Sequence, residues 1–281
     1  MTLLKRLTLF IPLLALFCSP LFANQLGDRV NPFRTPPINM ASMHDMSFNL
    51  FFVMLAGFGL WSIYKKRLSL GLLILLGAMS ASWQEFYADW GSYLYWNPEF
   101  PQLPWGETPF TTPDKPMFIP FSWGWYFALI YTLLATLITW LHGKLPAIPR
   151  WLLISVIAGP LFFAYNIYGE HQAANMAWWG YAHSFGPYAE GTYASYPYVW
   201  PTVSLVLWSI VLLCMFTAKD DSGHWWHERK LGVHRIEAGL VHGLARIGSF
   251  MVAINVSCLL VVTIPCIAVR LIWGVDSPIV P

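Results

Sequence analysis

Six stretches of this chain are long and apolar enough to cross a lipid bilayer: 47–64, 68–84, 121–141, 151–168, 199–217 and 248–273. A spanning helix needs ~20 predominantly apolar residues, or ~17 at the low end. Inside the hydrocarbon every backbone N–H and C=O must be satisfied within the chain, so spanning segments are helices or closed barrels. These runs are continuous rather than alternating, which selects helices. The chain is predicted to be all-α, a polytopic transmembrane helix bundle. Charge agrees, because only 11% of the 281 residues are charged, against about 25% in a soluble domain. That excludes a disordered chain, a secreted disulfide scaffold and an ordinary cytosolic enzyme. A net charge of +2 leaves no basic footprint for a nucleic-acid partner.

The N-terminus carries Lys5 and Arg6, an apolar run over 7–17, and Ser19-Pro20-Leu21-Phe22-Ala23. This is the three-part pattern of a secretory signal, with cleavage after Ala23; the alternative is an uncleaved anchor helix over 1–23. Both place Asn24 outside, and residues 24–281 read as a single membrane-embedded helical domain. One set of loops holds Lys65, Lys66, Arg67, Lys144, Arg150, Lys219, Arg229, Lys230, Arg235 and Arg246, while the other holds Arg29, Arg34 and Lys115. The positive-inside bias makes the first set cytoplasmic. The expected location is the bacterial inner membrane, with two long aromatic loops, about 85–120 and 169–198, on the periplasmic side. Loops of that length are seldom mere connections, and these are expected to fold over the outer mouth of the bundle.

Two constellations sit at that mouth. In Trp83-Gln84-Glu85-Phe86-Tyr87-Ala88-Asp89-Trp90 the two acids are four apart, so a continuing helix puts Glu85 and Asp89 on one face. Aromatic neighbours would keep a carboxylic acid protonated and able to act as a general acid. The alternative is a pair of solvated carboxylates beside an aromatic belt. In Tyr165-Asn166-Ile167-Tyr168-Gly169-Glu170-His171 the polar positions Asn166 and Glu170 are also four apart. Polar groups at membrane depth are functional candidates by default, and Glu170 with His171 could form an acid–base pair. The second and fourth spans thus bring a carboxylate each to the same membrane face. Such a pair, roofed by aromatics that stabilise developing positive charge, suits acid-catalysed addition, dehydration or cyclisation.

A third block, Asp220-Asp221-Ser222-Gly223-His224-Trp225-Trp226-His227-Glu228-Arg229, lies on the cytoplasmic side. His224 and His227 have no second pair at ligand spacing, so the block reads as a capped, charged helix and no metal is expected. Arg270 in the last span is expected to snorkel to the outer interface. No P-loop, dinucleotide fingerprint, nucleophile elbow or haem motif occurs, so no cofactor is expected.

With those residues in place, the chain resembles the AveC-type spirocyclase family of membrane proteins. The likeness rests on ordered blocks: Trp83 and Glu85; Tyr95-Trp96-Asn97; Trp105-Gly106 with Pro109, Pro113, Pro116 and Pro120; Trp123-Gly124-Trp125; Glu170; Gly180-Tyr181; Tyr196-Pro197; and Asp220-Asp221, Gly223 and Glu228-Arg229. It covers roughly 70–273. The family's Asp-Pro after the first Trp is here Glu85-Phe86, and an acid expected later is replaced by Trp200. The resemblance implies closure of a spiroketal, in which a ketone and hydroxyls cyclise with loss of water. The expected function is a membrane cyclase or dehydratase acting on a hydrophobic polyketide- or isoprenoid-like substrate. Glu85 is the expected acid and Glu170 the base, with Trp83, Asp89, Tyr95, Asn97, Asn166, His171 and His183 at the substrate. The alternatives are a non-enzymatic carrier of lipids or polyketides, and an accessory subunit of a membrane complex.

Overall fold

The computed structural model describes residues 33–106 and 108–281; the signal or anchor segment 1–23 lies outside them. The chain is mostly helical. Helix α1 spans Met40–Tyr64 and α2 Leu70–Ala81; a 3-10 turn, Ser82–Gln84, leads into α3, Glu85–Ser92. Next come α4 (Ile119–Lys144), α5 (Arg150–Asn175), α6 (Thr202–Thr217) and the short α7 (Trp226–Lys230). Helix α8, Leu240–Cys258, continues through a π turn, Leu259–Thr263, into α9, Ile264–Trp273.

Four helices are long and apolar enough to cross a membrane: α1, α4, α5 and the continuous 34-residue rod Leu240–Trp273. The other two expected spans are shorter than the sequence suggested. Helix α2 has 12 residues and α6 has 16, each below the ~17 a span requires. The cause in α2 is local, since the polar Ser82 and Gln84 interrupt the apolar run where the helix tightens. Helix α2 is apolar all round, as a central helix should be, and it packs between α4 and α8.

The last rod carries a π turn for an identifiable reason. Pro265 has no N–H to return to the Val261 carbonyl, and the Ser204 hydroxyl of α6 donates to that carbonyl instead. The turn also aims Thr263 at α3: its hydroxyl donates to Gln84 Oε1 at 3.0 Å. Gln84 is fully buried, and its amide donates to the Asn255 backbone and side-chain oxygens, both at 3.1 Å. The residue before Glu85 is thereby pinned to α8.

Arg270 departs from the expected snorkelling. It is buried, with its guanidinium 3.9 Å from the Trp90 ring centre and 4.2 Å from that of Tyr93. It donates to the Trp90 carbonyl at 2.6 Å and the Val280 carbonyl at 2.5 Å. Two charge-assisted bonds to backbone carbonyls, with two aromatic faces beside the guanidinium, outweigh escape to the interface. Helix α9 also lies against α3 at Gly91, where a Cβ would sit 2.7 Å from the Ile267 nitrogen, so only glycine permits the approach.

Two antiparallel ribbons complete the fold. Strand β1, Leu94–Trp96, follows α3 and pairs with β2, Trp179–Tyr181, which follows α5; Trp96 lies opposite Trp179. Strand β3, Tyr188–Glu190, pairs with β4, Ser195–Pro197.

Candidate active site

Where α2 gives way to the 3-10 turn, the helix restarts at Glu85. One helical turn on, Asp89 falls on the same face. Glu170 lies near the end of α5. All three carboxyls line one cavity of about 540 Å³. Its walls come from α1, α3, α4, α5, α6, the β1–β2 ribbon and the π turn. They include Trp96, Trp123, Trp125, Trp178, Trp179 and Trp208. Among the described residues, no Lys, Arg or His lines it.

The ribbon arms the site. Along β2, residues two apart share a face, so Trp179 and Tyr181 point the same way. The Trp179 indole donates to Glu170 Oε2 at 2.8 Å, and the Tyr181 hydroxyl donates to Oε1 at 2.9 Å. Across the ladder, the Trp96 indole donates to Asp89 Oδ2 at 2.8 Å. Its ring centre is 4.8 Å from that of Trp179. One two-stranded ribbon therefore orients carboxyls from two helices. Trp123 on α4 lines the same cavity as Glu85. Asp89 is buried, not the solvated carboxylate of the alternative reading.

The other residues singled out in the sequence divide. Asn166 lines the cavity, with its amide donating back to the Phe162 carbonyl at 2.9 Å. His171 does not pair with Glu170 beside it. Its Nδ1 lies 3.1 Å from the Tyr196 hydroxyl and its Nε2 3.0 Å from Asn175 Nδ2. Trp83 turns to α8, its indole donating to Asn255 Oδ1 at 3.0 Å. Tyr95 is on the opposite face of β1 from Trp96 and packs on Phe33, ring centres 5.3 Å apart. Asn97 is fully buried as a loop clamp, donating to the Ala177 carbonyl at 2.9 Å and the Thr35 carbonyl at 3.1 Å. His183 stands edge-on to Tyr93 at 5.2 Å. None of these last five residues lines the cavity. In their place the structure supplies Trp96, Trp123, Trp179 and Tyr181. Trp96, Trp123 and Tyr181 stand in the family-like blocks of the sequence without a role assigned there, and the Trp179–Tyr181 spacing just beyond the helix that bears Glu170 is the local signal for the pair that holds it.

Three carboxyls on one low-dielectric cavity, with no Lys, Arg or His lining it among the described residues, are the kind of groups that paired acid–base chemistry uses.

A family model described as spirocyclase AveC-like matches residues 65–279. No curated protein matches the chain, and no solved structure does.

Proposed function

Because the chain belongs to the AveC-like spirocyclase family, we propose that it is a membrane-embedded cyclase or dehydratase working by acid–base catalysis on a hydrophobic substrate. The observation that carries this reading is the convergence of Glu85, Asp89 and Glu170 on one aromatic cavity. For a spiroketal closure the steps are these. Glu85 gives its proton to the hydroxyl of a hemiketal, the C–O bond breaks and water leaves. The oxocarbenium ion that remains is stabilised by the carboxylates and by the indole faces. A second hydroxyl of the substrate attacks that carbon, forming the new C–O bond, and its proton passes to Glu170. Both Glu170 oxygens already accept hydrogen bonds from Trp179 and Tyr181, the arrangement of a positioned base. The net change is loss of one water. Asp89, held by Trp96, adds negative charge beside the cation. In the membrane, α2 with the start of α3 and α6 complete six crossings, with the Lys- and Arg-rich loops cytoplasmic.

The test is mass spectrometry of lipid extracts from cells carrying the gene, lacking it, or carrying Glu85→Gln or Glu170→Gln. Each variant should lower product by about 10²-fold or more. A precursor heavier by one water, or isomeric with the product, should accumulate. Full product from both variants, or an unchanged lipid merely redistributed by the deletion, replaces the enzyme with a carrier.

A further inference from the structure

The charge of the cavity wall is one-sided. Glu85, Asp89 and Glu170 face the cavity, and among the described residues no Lys, Arg or His does. Two cations are buried in the elements around it, and both are used by backbone carbonyls. Arg270 donates to Trp90 and Val280. Lys115 Nζ donates to the carbonyls of Gly106 and Thr112, both at 2.9 Å. Helix α4 begins at the cavity with its positive dipole end, but the Ile119 N–H is bonded to the Pro116 carbonyl, and Pro120 has no N–H to offer. The rest of the wall is aromatic and aliphatic, with Ser92, Ser122, Asn166 and Gln172 as neutral polar side chains. The aromatic faces carry negative potential and attract cations.

We infer that this cavity binds lipophilic organic cations and rejects lipophilic anions, and hence that its substrate carries neither phosphate nor carboxylate. A cation entering it exchanges hydration for carboxylates and π faces. An anion loses its hydration and meets three carboxyls and the negative faces of the rings, with neutral donors but no Lys, Arg or His among the described lining residues to offset them. The statement about the substrate rests on the reaction proposed above, in which a stable cation imitates the oxocarbenium ion. The charge selectivity itself does not depend on turnover.

The experiment uses the full chain in nanodiscs, with tryptophan fluorescence as the readout and empty nanodiscs as the partition control. The probes are octyltrimethylammonium and octyl phosphate, which share a chain and differ in the sign of the headgroup. The ammonium should bind at least about tenfold more tightly than the phosphate. In the Glu85→Gln/Glu170→Gln double variant its affinity should fall by about tenfold or more. Octyl phosphate binding as tightly as the ammonium to the wild type overturns the inference, and that comparison needs no variant to fold. An ammonium affinity unmoved in a folded double variant also overturns it. If product is lost in the single variants while the wild type shows no charge preference, the selectivity fails and the cyclase stands. If the preference is present while the variants keep full product, the selectivity stands and the cyclase fails.

Discussion

Helix α6 separates two acidic regions whose carboxyls are satisfied in opposite ways. At its N-terminal end, Pro201 and Leu205 border the cavity that holds Glu85, Asp89 and Glu170. The donors to Asp89 and Glu170 there are neutral indoles and a phenol. Beyond its C-terminal end, carboxylates meet guanidinium groups. Fully buried Glu228 accepts from Arg246 Nε at 2.7 Å, and its other oxygen takes the Trp225 N–H at 3.1 Å, capping α7. Asp220 pairs with Arg229 at 3.0 Å. The Ser222 hydroxyl, more than that guanidinium, holds its carboxyl down at about 2. A carboxylate held by a guanidinium serves structure. A group of buried carboxyls without a cation is available for chemistry.

The largest effect that could break this comparison is on stability. Glu228→Ala strands the Arg246 charge and uncaps α7. Removing one partner of a buried pair costs about 3–5 kcal/mol, read as a drop in the thermal midpoint of the purified protein. Product formed per folded molecule should be unchanged. A midpoint that does not move would mean that this region is no more structural than the cavity. A smaller step concerns its neighbour His227, buried against Phe250 with ring centres 4.6 Å apart and with neither ring nitrogen hydrogen-bonded. Burial, reinforced by Arg246 and opposed by Glu228, pushes its pKa from 6.5 down to about 4. The folded state then binds this proton only below about 4, whereas the unfolded chain binds it below 6.5. Its contribution to stability is complete above pH 6.5 and is lost as pH falls towards 4. Midpoints measured across that range should decline in the wild type and decline less in His227→Leu.

How much of this was legible depends on which physics carried the signal. The apolar runs and the carboxyl spacing Glu85–Asp89 are periodic features, and periodicity survives in a bare sequence. The end of α2 is set by where Gln84 finds its partner Asn255 on α8, and no local pattern announces that. Arg270 was misplaced because its partners are the backbone carbonyls of Trp90 and Val280, which leave no mark in side-chain spelling. The site divides in the same way. Tyr95-Trp96-Asn97 reads in the sequence as an aromatic–Asn segment of an all-α chain, and only the strand register opposite Trp179 shows that Trp96 reaches the cavity side while Tyr95 packs on Phe33. A shift of one residue would have exchanged their roles.

The smallest expected effect is also the sharpest separation of the two regions. If the cavity carboxyls are kept for chemistry, the fold tolerates them at a cost, because three ionisable groups are buried together without a compensating cation. Glu85→Gln removes one ionisable group from that set and keeps a side chain of the same shape. Its thermal midpoint should therefore hold or rise, by the equivalent of roughly 0.5–2 kcal/mol, as when a strained active-site group is neutralised. Glu170→Gln should gain less, because the amide offers one acceptor where Trp179 and Tyr181 now reach two oxygens. The two variants would then have lost product formation while standing at or above the wild type in stability, the reverse of Glu228→Ala. A fall of several kcal/mol in Glu85→Gln would place that carboxyl with Glu228, as part of the frame, and would leave Glu170 and Asp89 to account for any chemistry in the cavity.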